Sequence, residues 1–179
     1  GKKLIFAFVT NITLNTINTE RMLAGLEEAG YRIVIDLHAL GSLDLRNKLK
    51  EIFKDAMGRT VFLNERPLWA WPLMAASSAV FVLGCSTLGI EALYFGKPLV
   101  EIYAPGQPAS FVTDYEVATP LGERSFLEGV QEAEKSWTFS SHRKKVAEFL
   151  QDQIANPGAA GRIADFICQQ RDKGASRRS

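Results

Sequence analysis

The stretch AVFVLGCSTLGIEALYFGKPLVEIY, Ala79 to Tyr103, carries the reading of the fold. It opens on a continuous apolar run, Ala79–Gly84, of the kind a strand shows when both faces of its sheet are covered. A helical segment, STLGIEALYFG, follows, and PLVEIY (Pro98–Tyr103) closes the unit as a second strand. Two strands joined through one helix make a parallel pair by a right-handed crossover, which commits this part of the chain to an α/β architecture. A single acid, Glu91, stands within the first turns of an otherwise apolar helix, and its presence there needs a reason.

Outward from this unit the same alternation continues. LIFAFV (Leu4–Val9) is a short apolar strand, followed by the polar loop TNITLNTINTE and a helix expected from about Thr19 to Ala29 and stopped by Gly30, a left-handed cap residue. YRIVIDLH (Tyr31–His38) is the second strand. LDLRNKLKEIFKDA places Leu45, Leu49, Ile52 and Phe53 on one helical stripe, and TVFL (Thr60–Leu63) is the third strand. PLWAWPLMAAS is a short apolar helical segment interrupted at Pro72, in which Leu68, Trp69 and Trp71 are expected to serve the core. EVAT offers a short sixth strand ahead of three closing helices, near 122–135, 140–155 and 158–171. The expected architecture is an open, Rossmann-like doubly wound parallel sheet flanked by helices, a single domain over residues 1–172 with a flexible basic tail at 173–179.

Composition narrows the function. The chain has 179 residues, 46% of them hydrophobic, enough for one full core. Its 21 Lys and Arg against 20 Asp and Glu leave a formal charge of +1, so bulk electrostatics argue for neither nucleic acid nor an anionic membrane surface, and an anionic ligand must be held locally. Cys85 and Cys168 lie far apart with no metal spacing, as expected of free thiols in a reducing cytoplasm. No run of about 18 apolar residues and no signal-peptide pattern is present. The opening KKLIFAFVT enters a strand almost at once, the pattern expected of a chain cut from a longer protein at a domain boundary.

In doubly wound sheets ligands bind beyond the carboxyl ends of the strands, where strand order reverses. That directs attention to the loops Thr10–Asn18, His38–Ser42, Asn64–Leu68 and Gly84–Gly89. Ser86 and Thr87 stand at a helix start, where hydroxyls and unpaired amides suit phosphate. Glu91 lies four residues after Thr87 and shares its helical face, so its carboxylate can accept from vicinal hydroxyls such as those of a ribose. The plainer account, that Ser86 or Thr87 caps the helix while Glu91 favours the helix dipole, stays open at this point. The loop 104–120, with Pro105, Pro108 and Pro120, reads equally as a surface loop or as the lining of a cleft.

The segment AASSAVFVLGCSTLGIEALYFGKPLVEIY resembles the nucleotide-sugar-binding region of GT-B glycosyltransferases, in particular bacterial enzymes that build surface polysaccharides. Their common form is an apolar strand, Ser-Ser/Thr, a short spacer, Glu-Ala-Leu and Gly-Lys-Pro. IDLHAL and the closing FLQDQIANPGAAGRIADFI extend the resemblance along the chain. It implies the C-terminal, donor-binding half of such an enzyme, with the acceptor-binding N-terminal half absent. It places Ser86 and Thr87 near the donor diphosphate, Glu91 on the ribose, Thr10 and Asn11 beside the phosphates, and Arg66 with Glu65 and Leu68 near the base. His38 matches a family histidine after the second strand, which makes it a donor-site residue and a candidate for catalysis, although HALG replaces the usual His-Pro. Cys85 replaces the commoner second Ser.

The resemblance implies metal-independent sugar transfer from a nucleoside diphosphate sugar, of UDP or CDP type, to an acceptor hydroxyl. No resident cofactor is expected, and the catalytic base is expected on the absent half. The implied setting is polysaccharide or glycolipid synthesis in the cytoplasm, at or near the inner membrane face, with peripheral membrane contact by the parent protein. Other readings are a half of a UDP-N-acetylglucosamine 2-epimerase, a glycerophosphotransferase half, or a non-catalytic GT-B-like binding module. Arg124 and Arg162 read as solvated, and His142 is assigned no role.

Overall fold

The computed structural model describes residues 3–9, 23–37, 43–64, 70–83, 87–103 and 111–153. Within them, six strands form one sheet: β1 (Lys3–Val9), β2 (Tyr31–Leu37), β3 (Val61–Leu63), β4 (Ala79–Leu83), β5 (Leu99–Ile102) and β6 (Thr119–Pro120). All pairings are parallel and the order is β3-β2-β1-β4-β5-β6. The chain builds outward from β1 to β3, then crosses back to lay β4 on the other side of β1. Strand order therefore reverses between β1 and β4, the position at which sheets of this kind bind their ligands beyond the carboxyl ends of the strands.

Side-chain alternation explains why helices cover both faces. Along β1, Ile5, Ala7 and Val9 join a core containing Ile33, Ile35, Val61, Phe81 and Val100. Phe6 and Phe8 point the other way, into a second core with Val80, Val82, Leu99, Met74 and Leu93. A strand buried on both sides cannot alternate apolar with polar, which is why the central strands read as unbroken apolar runs. The first core is closed by α1 (Leu43–Ile52), whose Leu45 and Leu49 are buried along with Phe53 beyond its end, and by α5 (Phe126–Thr138) through Phe126, Val130 and Ala133. The second is closed by α2 (Ala70–Ala76), α3 (Leu88–Tyr94), the short α4 (Phe111–Asp114) and α6 (Ser140–Gln153). A capping box starts α5: the Glu128 amide donates to Ser125 Oγ at 3.3 Å while the Ser125 amide donates back to Glu128 Oε2 at 2.7 Å.

Three local expectations change. Residues 24–30 form a series of turns instead of the end of a regular helix, although Gly30 adopts the expected left-handed conformation with φ +79°. Pro72 does not interrupt α2. It lies in the first turn, where its missing amide has no intrahelical partner to lose. The sixth strand is displaced to Thr119–Pro120 from EVAT, paired to Val100 and Glu101. The expected helix at 158–171, Cys168, Arg162 and the basic tail lie outside the described residues.

Candidate functional site

At the reversal of strand order, the described residues of the candidate site lie in α3, which follows β4. Thr87 precedes α3 with helical backbone angles, and its carbonyl accepts from the amides of Ile90 at 3.0 Å and Glu91 at 3.2 Å. Its side chain makes no capping hydrogen bond, so the plain capping account fails for this residue. It is exposed, one helical turn ahead of Glu91 on the same face. At the other end of the helix Gly96, with φ +68°, donates to the Leu93 carbonyl at 2.9 Å and Lys97 donates to that of Ala92 at 3.0 Å. This left-handed cap turns the chain sharply into β5, which explains the Gly of the Gly-Lys-Pro run.

Glu91 is half-buried and has a partner that the sequence does not announce. The indole Nε1–H of Trp71, in the first turn of α2, donates to Glu91 Oε2 at 2.6 Å. Trp71 is 62% exposed, so the expected core role is overturned. Its place in the first turn of α2, instead of on the buried face that carries Met74, accounts for the difference. Trp71, Glu91, Tyr94 and Phe95 line a hollow of about 290 Å³, to which Glu91 contributes the apolar stem of its side chain. A periodicity argument cannot pair two residues 20 positions apart on different helices.

A second carboxyl group lies at the carboxyl edge of β2. Asp36 is 6% exposed and accepts from Asn64 Nδ2 at 2.8 Å. Burial raises its pKa, while the bonds from Asn64 and from the Leu37 amide act in the opposite direction. The folded state thus holds this proton more tightly than the unfolded chain does. The corresponding stabilisation is complete below the unfolded pKa and is lost as pH rises through the higher folded one. Asp36→Asn removes that dependence. Urea titrations over roughly pH 3 to 7, the range that brackets a raised carboxyl pKa, are expected to show the variant gaining stability relative to the parent chain as pH rises. A constant difference across the range would refute the assignment.

At the carboxyl end of β5, Glu101 is wholly buried and accepts from the hydroxyls of Tyr103 and Thr113. Arg124 is exposed, as expected, and donates to the Pro120 carbonyl at 2.8 Å. It shares a hollow of about 380 Å³ with His142, Thr119 and Glu132. His142 packs edge-on against Trp137 at 5.6 Å, and burial, reinforced by Lys145, lowers its pKa. Thr10, Asn11, His38, Glu65, Arg66, Leu68, Trp69, Cys85 and Ser86 lie outside the described residues. Among the described residues, no three His, Cys, Asp or Glu side chains gather as a metal site, and no helix is long and apolar enough to cross a membrane.

No family model matches the sequence, and neither does any curated protein. Solved structures do match. The glycotransferase of kitacinnamycin aligns at TM-score 0.60 and 17% identity over 94% of this chain and 43% of its own. This chain has the fold of one GT-B half. A UDP-GlcNAc 2-epimerase from Neisseria meningitidis, solved with UDP-GlcNAc bound, has the same fold at TM-score 0.57 and 16% identity, over 96% of this chain and 45% of that one. MnaA of S. aureus, solved with UDP, aligns at 0.53 and 16%, over 82% and 40%. The GT-B half formed by this chain spans less than half the length of each of these proteins.

Proposed function

We propose that the chain is the C-terminal, donor-binding half of a metal-independent GT-B glycosyltransferase that moves a sugar from a nucleoside diphosphate to an acceptor hydroxyl. The observation that carries this reading is Glu91: a half-buried acid one turn into the helix that follows β4, beside the reversal of strand order. A carboxylate can accept from both hydroxyls of a ribose, and Thr87, on the same face one turn nearer the helix start, offers a hydroxyl in the direction of the diphosphate.

Ser86, Thr10, Asn11 and His38 complete the proposed phosphate and sugar contacts, and Arg66 the base contact. Charge builds on the diphosphate as it leaves. Fixed hydroxyl and amide donors stabilise that charge at less reorganisation cost than water does. The base that deprotonates the acceptor belongs, in this reading, to the other half of the enzyme, so this chain alone binds UDP or CDP weakly and turns over no nucleotide sugar. Surface-polysaccharide or glycolipid synthesis in the cytoplasm, with the membrane face as workplace, is the setting proposed from the sequence resemblance.

A 2-epimerase half is the second reading, favoured by the fold shared with the UDP-GlcNAc-bound enzyme. The sequence argues against it, because CSTLGIEA carries a single acid in place of the paired glycines and adjacent acids of those enzymes. Thermal-shift screening with UDP, CDP and GDP tests nucleotide binding, since a ligand of the folded state raises its stability. Glu91→Ala is then expected to weaken the binding seen by calorimetry by about 1–3 kcal/mol, the scale of deleting a charged hydrogen-bond acceptor. Unchanged affinity removes the ribose assignment.

A further inference from the structure

Among the described residues, the charge-assisted contact at Glu91 comes from the Trp71 indole, and it is placed to govern what the carboxylate does. We propose that Trp71 is a positioning residue that presets Glu91 to receive a ribose, an inference that rests on the donor-site reading above. A glutamate at a half-buried site must have its side-chain torsions fixed before it can engage a diol, and each immobilised long side chain subtracts from binding. The Nε1–H at 2.6 Å from Oε2 fixes that side chain in advance. A carboxylate has about four acceptor positions over its two oxygens, so one indole donor leaves Oε1 and a second lone pair of Oε2 for two sugar hydroxyls.

The setting makes this contact more than a surface accident. The ring that donates the bond is itself 62% exposed, and it forms one wall of the hollow with Tyr94 and Phe95, which are 69% and 38% exposed. The two residues come from separate helix starts, α2 and α3, so the bond also ties the segment after β3 to the segment after β4.

The test compares UDP, CDP and GDP with their 2′-deoxy forms, by calorimetry, in the 179-residue chain and in Trp71→Phe, Glu91→Ala and the double variant. Phenylalanine keeps an aromatic wall and deletes the N–H. The ribo-to-deoxy affinity ratio reports the grip of Glu91 on the diol, and Trp71→Phe is expected to lower it by about 3- to 10-fold, the scale of freeing one long side chain. In the Glu91→Ala background the same change should have no further effect on the ratio, an outcome that a purely structural role does not produce. The Nε1–H signal of Trp71 in a ¹⁵N spectrum should also move in Glu91→Ala.

If Glu91→Ala collapses the ratio and Trp71→Phe leaves it intact, or raises affinity by freeing the carboxylate, the positioning role is overturned while the donor site stands. If Glu91→Ala changes nothing, or no nucleotide binds, the donor reading falls and takes this inference with it. A Trp71 signal indifferent to Glu91→Ala overturns the positioning role whatever the nucleotide results.

Discussion

Phe81→Ala is expected to lower the unfolding free energy by about 3–5 kcal/mol, the range for removing a large aromatic side chain from a close-packed interior. Phe81 stands in β4, paired on one side with Ala7 of β1 and on the other with Val100 of β5, and has no exposed surface. Its ring lies 4.8 Å from that of Phe126 at an interplanar angle of 56°, so it joins the middle of the sheet to the first buried turn of α5. Neighbours on two rigid strands cannot collapse into the space the ring leaves, which puts the cost toward the upper part of the range. Guanidinium unfolding followed by circular dichroism measures it, and Phe81→Leu, which keeps most of the volume, should lose markedly less. A loss below about 1.5 kcal/mol for alanine would mean that the packing between β4 and α5 is not as described.

Thr113→Val carries the second large effect, a loss of about 1–3 kcal/mol, because it deletes one hydrogen bond to a buried carboxyl group at nearly constant volume. Glu101 is fully buried, and Thr113 Oγ1 donates to its Oε2. Tyr103 also donates to that oxygen and lies 2.6 Å from the Thr113 hydroxyl. Withdrawing one donor leaves the carboxyl oxygen with one hydrogen bond fewer in a place water cannot reach, a penalty greater than the bond's net worth. The control is Thr113→Ser, which retains the hydroxyl and should recover most of the loss in the same denaturation experiment. Equal destabilisation by serine and valine would assign the effect to the methyl group and not to the carboxylate.

The legible parts of the fold are those in which one strand or helix carries its own evidence. The apolar runs at Ile5–Val9 and Ala79–Leu83 announce strands covered on both faces, and the Leu45, Leu49 and Phe53 stripe announces the face that α1 buries. Trp71 departs from its expected core role because a tryptophan in an apolar segment normally serves the interior, and only its position in the first turn of α2 turns it outward. Pro72 departs from the expected break because the rule for helix interiors does not apply inside a first turn. At the candidate site, the spacing of Thr87 and Glu91 puts both on one helical face, whereas the Trp71 donor, the Asp36–Asn64 pair and the Glu101 cluster carry no local signal.

The sequence by itself determined the alternation of strands and helices and the helical face shared by Thr87 and Glu91, because periodicity and turn residues act over a few positions. Only the tertiary structure decided that β4 lies beside β1, that an indole 20 residues away meets the Glu91 carboxylate, and that Glu101 is sealed against Thr113. Those outcomes depend on the side of the sheet to which each crossover returns, and on the space left between helices once both cores are filled. No local pattern of residues encodes that geometry.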